Sequence, residues 1–207
     1  MKPWSTFYPD VLPEVPGYVA PLVDIALRRA AQEFFATTGV WRVWLDDVTT
    51  AGDDTTEYDI ELEPNSELVK LLRATLDGRP IIVTTPDSLP SDWKTTTAGL
   101  ADCVFTEDQR NLILLPAQEA GLVLKVEATL RPSDSAIGIE DAYFAKYSRE
   151  IANGALAYLL AQLNKPYSNP LQAQRYQVLF DGAMAVTDLR RMRGFSGAMP
   201  RARVQFF

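Results

Sequence analysis

Nine residues past the middle of the chain, Leu122-Val123-Leu124-Lys125-Val126-Glu127-Ala128-Thr129-Leu130, alternate between two kinds of side chain. Leu122, Leu124, Val126, Ala128 and Leu130 share one parity, while Lys125, Glu127 and Thr129 share the other. Successive side chains of an extended strand point to opposite faces, so this period of two predicts a strand. Its leucine face belongs to a core, and Lys125, Glu127 and Thr129 are expected to face solvent or a neighbour.

Upstream of that strand, residues 45–132 read as mostly β. Tyr58-Asp59-Ile60-Glu61-Leu62 alternates in the same way and predicts a strand with one wet face. Residues 67–76 fit either period. Asp77-Gly78, followed by Pro80-Ile81-Ile82-Val83, is a strong turn signal that favours a hairpin over a short helix. Val104-Phe105-Thr106 and Leu112-Ile113-Leu114-Leu115 flank a polar turn over 107–111. Residues 84–100 are rich in Thr, Pro and Ser and predict an exposed loop around Trp93.

Helical periodicity takes over on both sides of the β stretch. Over 21–44, Pro21 suits a first helical position, and Val23, Leu27, Ala30, Phe34, Thr38 and Trp41 recur at spacings of three and four. Phe34, Phe35, Trp41 and Trp44 are read as plain core packing. Over 140–163, Phe144, Tyr147, Ile151, Ala155, Tyr158 and Leu159 form a second stripe. Gly154 in mid-helix costs about 1 kcal/mol relative to alanine, which is tolerable where another backbone approaches. Asn169-Pro170 is an N-cap followed by a first-turn proline. The helix it opens carries the stripe Tyr176, Leu179, Phe180, Ala183 and Val186, with Gly194 as its stop. Lys165-Pro166-Tyr167-Ser168 then joins two antiparallel helices. The expected fold is therefore α+β: a bundle of three long helices with a β-rich insertion between the first and second, plus extended arms at both ends.

Three segments follow from that layout. Residues 1–20 form an extended strap, since Pro3, Pro9, Pro13 and Pro16 disfavour a helix. Trp4, Phe7 and Tyr8 on it are expected to lie against the body of the chain or against a neighbouring subunit. Residues 21–189 form the helical bundle domain, with the β insertion at about 45–132. Residues 190–207 form a basic arm: after Asp188 there is no acid, yet Arg190, Arg191, Arg193, Arg201 and Arg203 follow. Phe195, Phe206 and Phe207 lie among those arginines, and apolar anchors beside cations favour a protein groove over a phosphate backbone.

Composition narrows the function. The 207 residues are 47% hydrophobic and 23% charged, with a net charge of -7, as for a soluble globular chain. No apolar run reaches the roughly 20 residues of a membrane span. Met1-Lys2-Pro3-Trp4-Ser5 lacks a secretory signal pattern, and the single cysteine, Cys103, forms no internal disulfide. Synthesis in the cytoplasm is expected. Histidine is absent altogether, which removes Ser-His-Asp and Cys-His constellations and most catalytic zinc sites. No glycine-rich phosphate loop or calcium loop is present. Neither a catalytic centre, nor a bound cofactor, nor a metal is expected.

Two motifs carry a resemblance. Tyr8-Pro9-Asp10-Val11-Leu12-Pro13-Glu14-Val15-Pro16-Gly17, followed by Ala26-Leu27-Arg28-Arg29-Ala30-Ala31-Gln32-Glu33-Phe34, is similar to the start of many tailed-phage head-to-tail adaptor (connector) proteins. Glu150-Ile151-Ala152-Asn153-Gly154-Ala155-Leu156-Ala157-Tyr158-Leu159-Leu160, with Lys165-Pro166-Tyr167-Ser168-Asn169-Pro170, resembles that family's last helix pair. The order of helix, β insertion, strand ending in Arg131-Pro132 and two helices is similar as well. The resemblance implies a virion protein at the capsid vertex or neck, made in the host bacterial cytoplasm. Its copies, commonly about twelve, would form a ring on the portal protein and bridge it to a tail or nozzle protein. Double-stranded DNA would pass through the lumen without sequence-specific binding, helped by acidic walls, and no membrane would be involved. A closed ring demands a heterologous interface.

By this resemblance the arm is the portal contact. Three other assignments stay open at this point. One is a neck or tail-completion protein that meets the tail tube. Another is an adaptor with cell-wall hydrolase activity on acids such as Glu33 or Asp46-Asp47. The third is a nonspecific nucleic-acid binder that uses the arginine tail.

Overall fold

A computed structural model describes residues 1–52, 54–91, 93 and 102–193. In chain order the elements are β1 (Lys2–Pro3), α1 (Tyr8–Val11), α2 (Ala20–Thr38), β2 (Arg42–Trp44), β3 (Val48–Thr49), β4 (Glu57–Asp59), β5 (Ser66–Leu76), β6 (Arg79–Val83) and β7 (Cys103–Phe105). Then come β8 (Asn111–Leu115), β9 (Val123–Pro132), β10 (Gly138–Ile139), α3 (Asp141–Leu160) and α4 (Pro170–Arg193). The chain divides into two compact units, one of residues 1–40 and 132–207, the other of residues 41–131.

This arrangement corrects the expected fold class. The chain is α+β, but it is not a bundle of three long helices carrying a β insertion. Its described residues form four α-helices, one of them a single turn, and a large sheet curled into a half-barrel. The sheet has eight strands in the order β2-β9-β5-β6-β7-β8-β4, with β3 also paired to β9. It buries its own core, so the segment read as an insertion is a body in its own right.

Eight of the nine residues first quoted, 123–130, lie in β9, which pairs with β2, β3 and β5. Leu124, Val126, Ala128 and Leu130 are buried as expected, while Leu122, just ahead of the strand, is only half-buried. The opposite parity is not: Lys125 is exposed, but Glu127 is only 7% exposed and Thr129 is fully buried. Glu127 can be buried because Arg73 on β5 ion-pairs with it, and the guanidinium of Arg73 lies 5.3 Å from the Trp44 ring centre. A second pair, Arg131 with Glu67, joins the same two strands with the charges exchanged. Opposed charges across a strand pair hold register, and a buried carboxylate demands such a partner.

The Asp77-Gly78 signal is a two-residue hairpin in which Leu76 pairs with Arg79, and both turn residues have positive φ. That is the turn whose twist matches the flanking strands. β6 and β7 run parallel, and β7 turns back into β8 through residues 106–110. There the Asp108 carboxylate accepts from the backbone N–H groups of Arg110 and Asn111 at 2.9 Å. Those bonds hold its carboxyl below the usual carboxylate range. Trp93 packs edge-on against Phe105 and partly covers a cluster of Cys103, Phe105, Ile113 and Leu115. Within the expected loop of 84–100, residues 92 and 94–100 lie outside the described residues.

In the helical unit, α2 ends at Thr38, six residues before the expected boundary. Gly39 adopts the left-handed conformation (φ +57°) and donates its N–H to Phe35 O at 2.9 Å, a helix stop. Val23, Leu27, Ala30, Phe34 and Thr38 are buried as the periodicity predicted. Phe34 is central: its ring centre lies 5.0 Å from that of Tyr147 and 6.3 Å from that of Phe180. Gly154 explains itself here, because a Cβ at that position would stand 2.9 Å from both Ala30 Cβ and the Phe180 ring. What approaches is a pair of side chains, not a backbone.

The extended strap is also corrected. Residues 4–14 are three consecutive helical turns, Trp4–Phe7, α1 and Leu12–Glu14. Pro9 and Pro13 open the second and third of these, where a missing N–H breaks no intrahelical bond. Proline density here starts short helices instead of forbidding them.

Candidate interaction surfaces

The Trp4 and Phe7 side chains lie in their own chain's core. Trp4 Nε1 donates to Ala136 O at 2.8 Å, and Phe7 meets Phe144 edge-on with ring centres 4.9 Å apart. Tyr8 is half-buried and donates its hydroxyl to Asp24 Oδ1 at 2.9 Å. Burial, then the Asp24 carboxylate, push its pKa up to about 12. Of the two outcomes open for this segment, contact with the chain's own body is the one these side chains adopt.

The basic arm begins on α4. Arg190, Arg191 and Arg193 occupy its last turn, where cations complement the helix C-terminus. Arg191 is held by Asp188, with Nη2 at 2.5 Å and Nε at 3.0 Å from Oδ1. Arg190 and Arg193 are exposed. Phe195, Arg201, Arg203, Phe206 and Phe207 lie outside the described residues, as does the Gly194 stop. The other end of α4 is as read: Asn169 Oδ1 accepts from Gln172 N–H at 3.2 Å.

Between its ends α4 shows a surface that sequence reading missed. The expected stripe included Leu179 and Val186, yet both are exposed. The buried side is instead Ala173, Phe180, Met184 and Thr187. At about 100° per residue, Leu171, Val178, Leu189 and Met192 gather on the opposite, wet side. Leu171 is 78% exposed and Met192 60%. Gly182 and Ala185 fall on the same line, and Arg175 and Arg193 flank one edge of it. Leu171, Arg175, Val178 and Leu179 border a shallow depression of about 340 Å³. The signal was in the sequence: α4 carries apolar residues on two sides, and only one can face its own unit.

The acids once considered for catalysis fall in different units. Glu33, on α2, has a raised pKa, from burial first and from the nearby Asp181 carboxylate second. Asp46 and Asp47 border a sheet-unit cavity of about 280 Å³ with Asp59 and Glu61, and Lys125 Nζ binds Asp47 Oδ2 at 2.7 Å. Among the described residues, no group of three or more acids or cysteines is placed to hold a metal ion. No described helix is long and apolar enough to cross a membrane. The buried Cys103 thiol is pushed up in pKa, mainly by desolvation, so it is a poor nucleophile.

Comparison of the chain with sequence models of known families gives no match, and a search among curated proteins gives none either.

Proposed function

We propose that this chain is a ring-forming structural part of a tailed-phage particle, a head-to-tail adaptor that seats on the portal and connects the capsid vertex to the tail. The observation that carries this reading is the wet apolar face of α4, which runs straight into a basic last turn and a Phe- and Arg-bearing segment beyond it. Exposed contiguous apolar surface on a helix is the mark of a protein-protein contact. An arginine-flanked one suits an acidic protein partner. The net charge of -7 fits a channel wall past which phosphates slide.

Electron microscopy of the purified chain mixed with portal protein tests the reading. Rings of about twelve copies stacked on one end of the portal are expected. Absence of any complex with portal, together with binding to an isolated tail tube, would overturn it in favour of a neck component. Binding to DNA that falls steeply with salt, with portal ignored, would overturn it in favour of a nucleic-acid binder.

A further inference from the structure

From the wet face of α4 we infer a head-to-tail contact between copies: the apolar line from Leu171 to Met192 seats on an acidic face of a second copy of this chain. The inference deepens the adaptor reading and rests on it for ring closure, although the pairwise contact stands on its own observations.

Charge selects the occupant. α4 carries four arginines against two aspartates, and one aspartate, Asp188, is already bound by Arg191. The chain as a whole holds 27 acids against 20 bases, so nearly all of its acidity lies on surfaces other than α4. A basic, apolar helix face and an acidic remainder on one molecule are complementary between copies. They are complementary head to tail, which is the geometry a ring needs. Pairing of α4 with α4 is disfavoured. A two-fold axis at Gly182, the middle of the line, brings the Arg175 edge of one copy beside the Arg193 edge of the other, like charge on like.

Gly182 supports a close contact. Unlike Gly154, it has nothing among the described residues within 4 Å of where its Cβ would stand. None of the described residues of its unit requires a glycine there, in mid-helix and at the centre of the apolar line. A partner that approaches the backbone does.

Size predicts the strength. From Leu171 to Met192 the helix rises about 32 Å, and a face about 10 Å wide covers about 300 Å² per copy. The contact then buries about 600 Å² in all, half of the roughly 1,200 Å² at which stable pairs begin. Copies should meet weakly in solution and hold only when a ring or template adds further contacts.

Sedimentation equilibrium on the full chain, between about 10 µM and 1 mM protein, tests this. Weak association is expected that loosens when salt is raised from about 50 to 500 mM. Val178→Glu with Leu189→Glu, both at exposed positions, should weaken it at least tenfold, and so should Gly182→Gln. Cooperative circular-dichroism melts no lower than that of the wild type would confirm that the variants fold. A strictly monomeric wild type, association that these variants leave intact, or association that tightens with salt would each overturn the inference. If portal binds wild type but not the variants while neither self-associates, the α4 face is a portal site: the adaptor reading stands and this inference falls. Self-association lost in the variants with no portal binding at all gives the converse.

Discussion

Two glycines in helix interiors look alike in the sequence and differ completely in their surroundings. At Gly154 an added methyl meets Ala30 and Phe180 at 2.9 Å, in a core of aromatic rings. Gly154→Ala should therefore destabilise the helical unit by about 1–3 kcal/mol through overpacking, despite alanine's better helix propensity. At Gly182 the space is open, so Gly182→Ala should stabilise by up to about 1 kcal/mol. Urea titrations of the two variants, moving in opposite directions, check both. Tyr8 offers a pH test. Its hydroxyl pKa is raised to about 12 by burial and by Asp24, so the fold favours the neutral phenol. The stability this contributes is complete below about pH 10 and is lost as pH rises towards 12. Tyr8→Phe should flatten the alkaline limb of a stability profile between those values. Glu33 works in the acid range. Its pKa is raised, so the folded chain holds that proton more tightly than the unfolded one. Its contribution to stability therefore falls as pH rises through the upper carboxylate range. Glu33→Gln should remove that fall, as acid-range melts would show.

Among elements, β9 was legible because alternation is a strong signal, and its leucine face lies where the pattern put it. Leu124→Ala should cost about 2–5 kcal/mol in a denaturant titration. A loss well under 1 kcal/mol would mark the strand as peripheral. The second face of β9 was not legible. Glu127 and Thr129 are polar, and their burial depends on Arg73 and on the hydroxyl-to-carbonyl bond from Thr129 Oγ1 to Lys70 O at 3.4 Å. Both partners come from β5, far off in sequence. The end of α2 was missed for a local reason: Trp41, Val43 and Trp44 continue an apolar pattern that fits both periods. Only the left-handed Gly39 decides where the helix stops. The buried side of α4 was misread because Leu179 and Val186 are as apolar as Phe180, and periodicity cannot choose between two apolar sides.

For the whole molecule, the sequence revealed mixed α and β content but not how the parts share the chain. Residues 41–131 form a unit because their strands close on one another over long separations, which local patterns do not reveal. Charge asymmetry was fully legible, and it motivates the last prediction. Arg190, Arg191 and Arg193 sit at the end of α4, and the chain continues with Arg201, Arg203 and the pair Phe206-Phe207. If that segment docks on the portal, arginines facing an acidic groove set the encounter rate. The phenylalanines, as buried anchors, set the lifetime of the complex. Deleting residues 195–207 removes neither Ala173, Phe180, Met184 nor Thr187 from the buried side of α4, so the helical unit should melt as the full chain does. Assembly of rings on the portal should nevertheless be abolished, and Phe206→Ala with Phe207→Ala should raise the dissociation rate more than it lowers the association rate. Surface-binding kinetics on immobilised portal separate the two rates, and electron microscopy reads the rings. Normal assembly by the truncated chain would move the portal contact from the arm to the folded body.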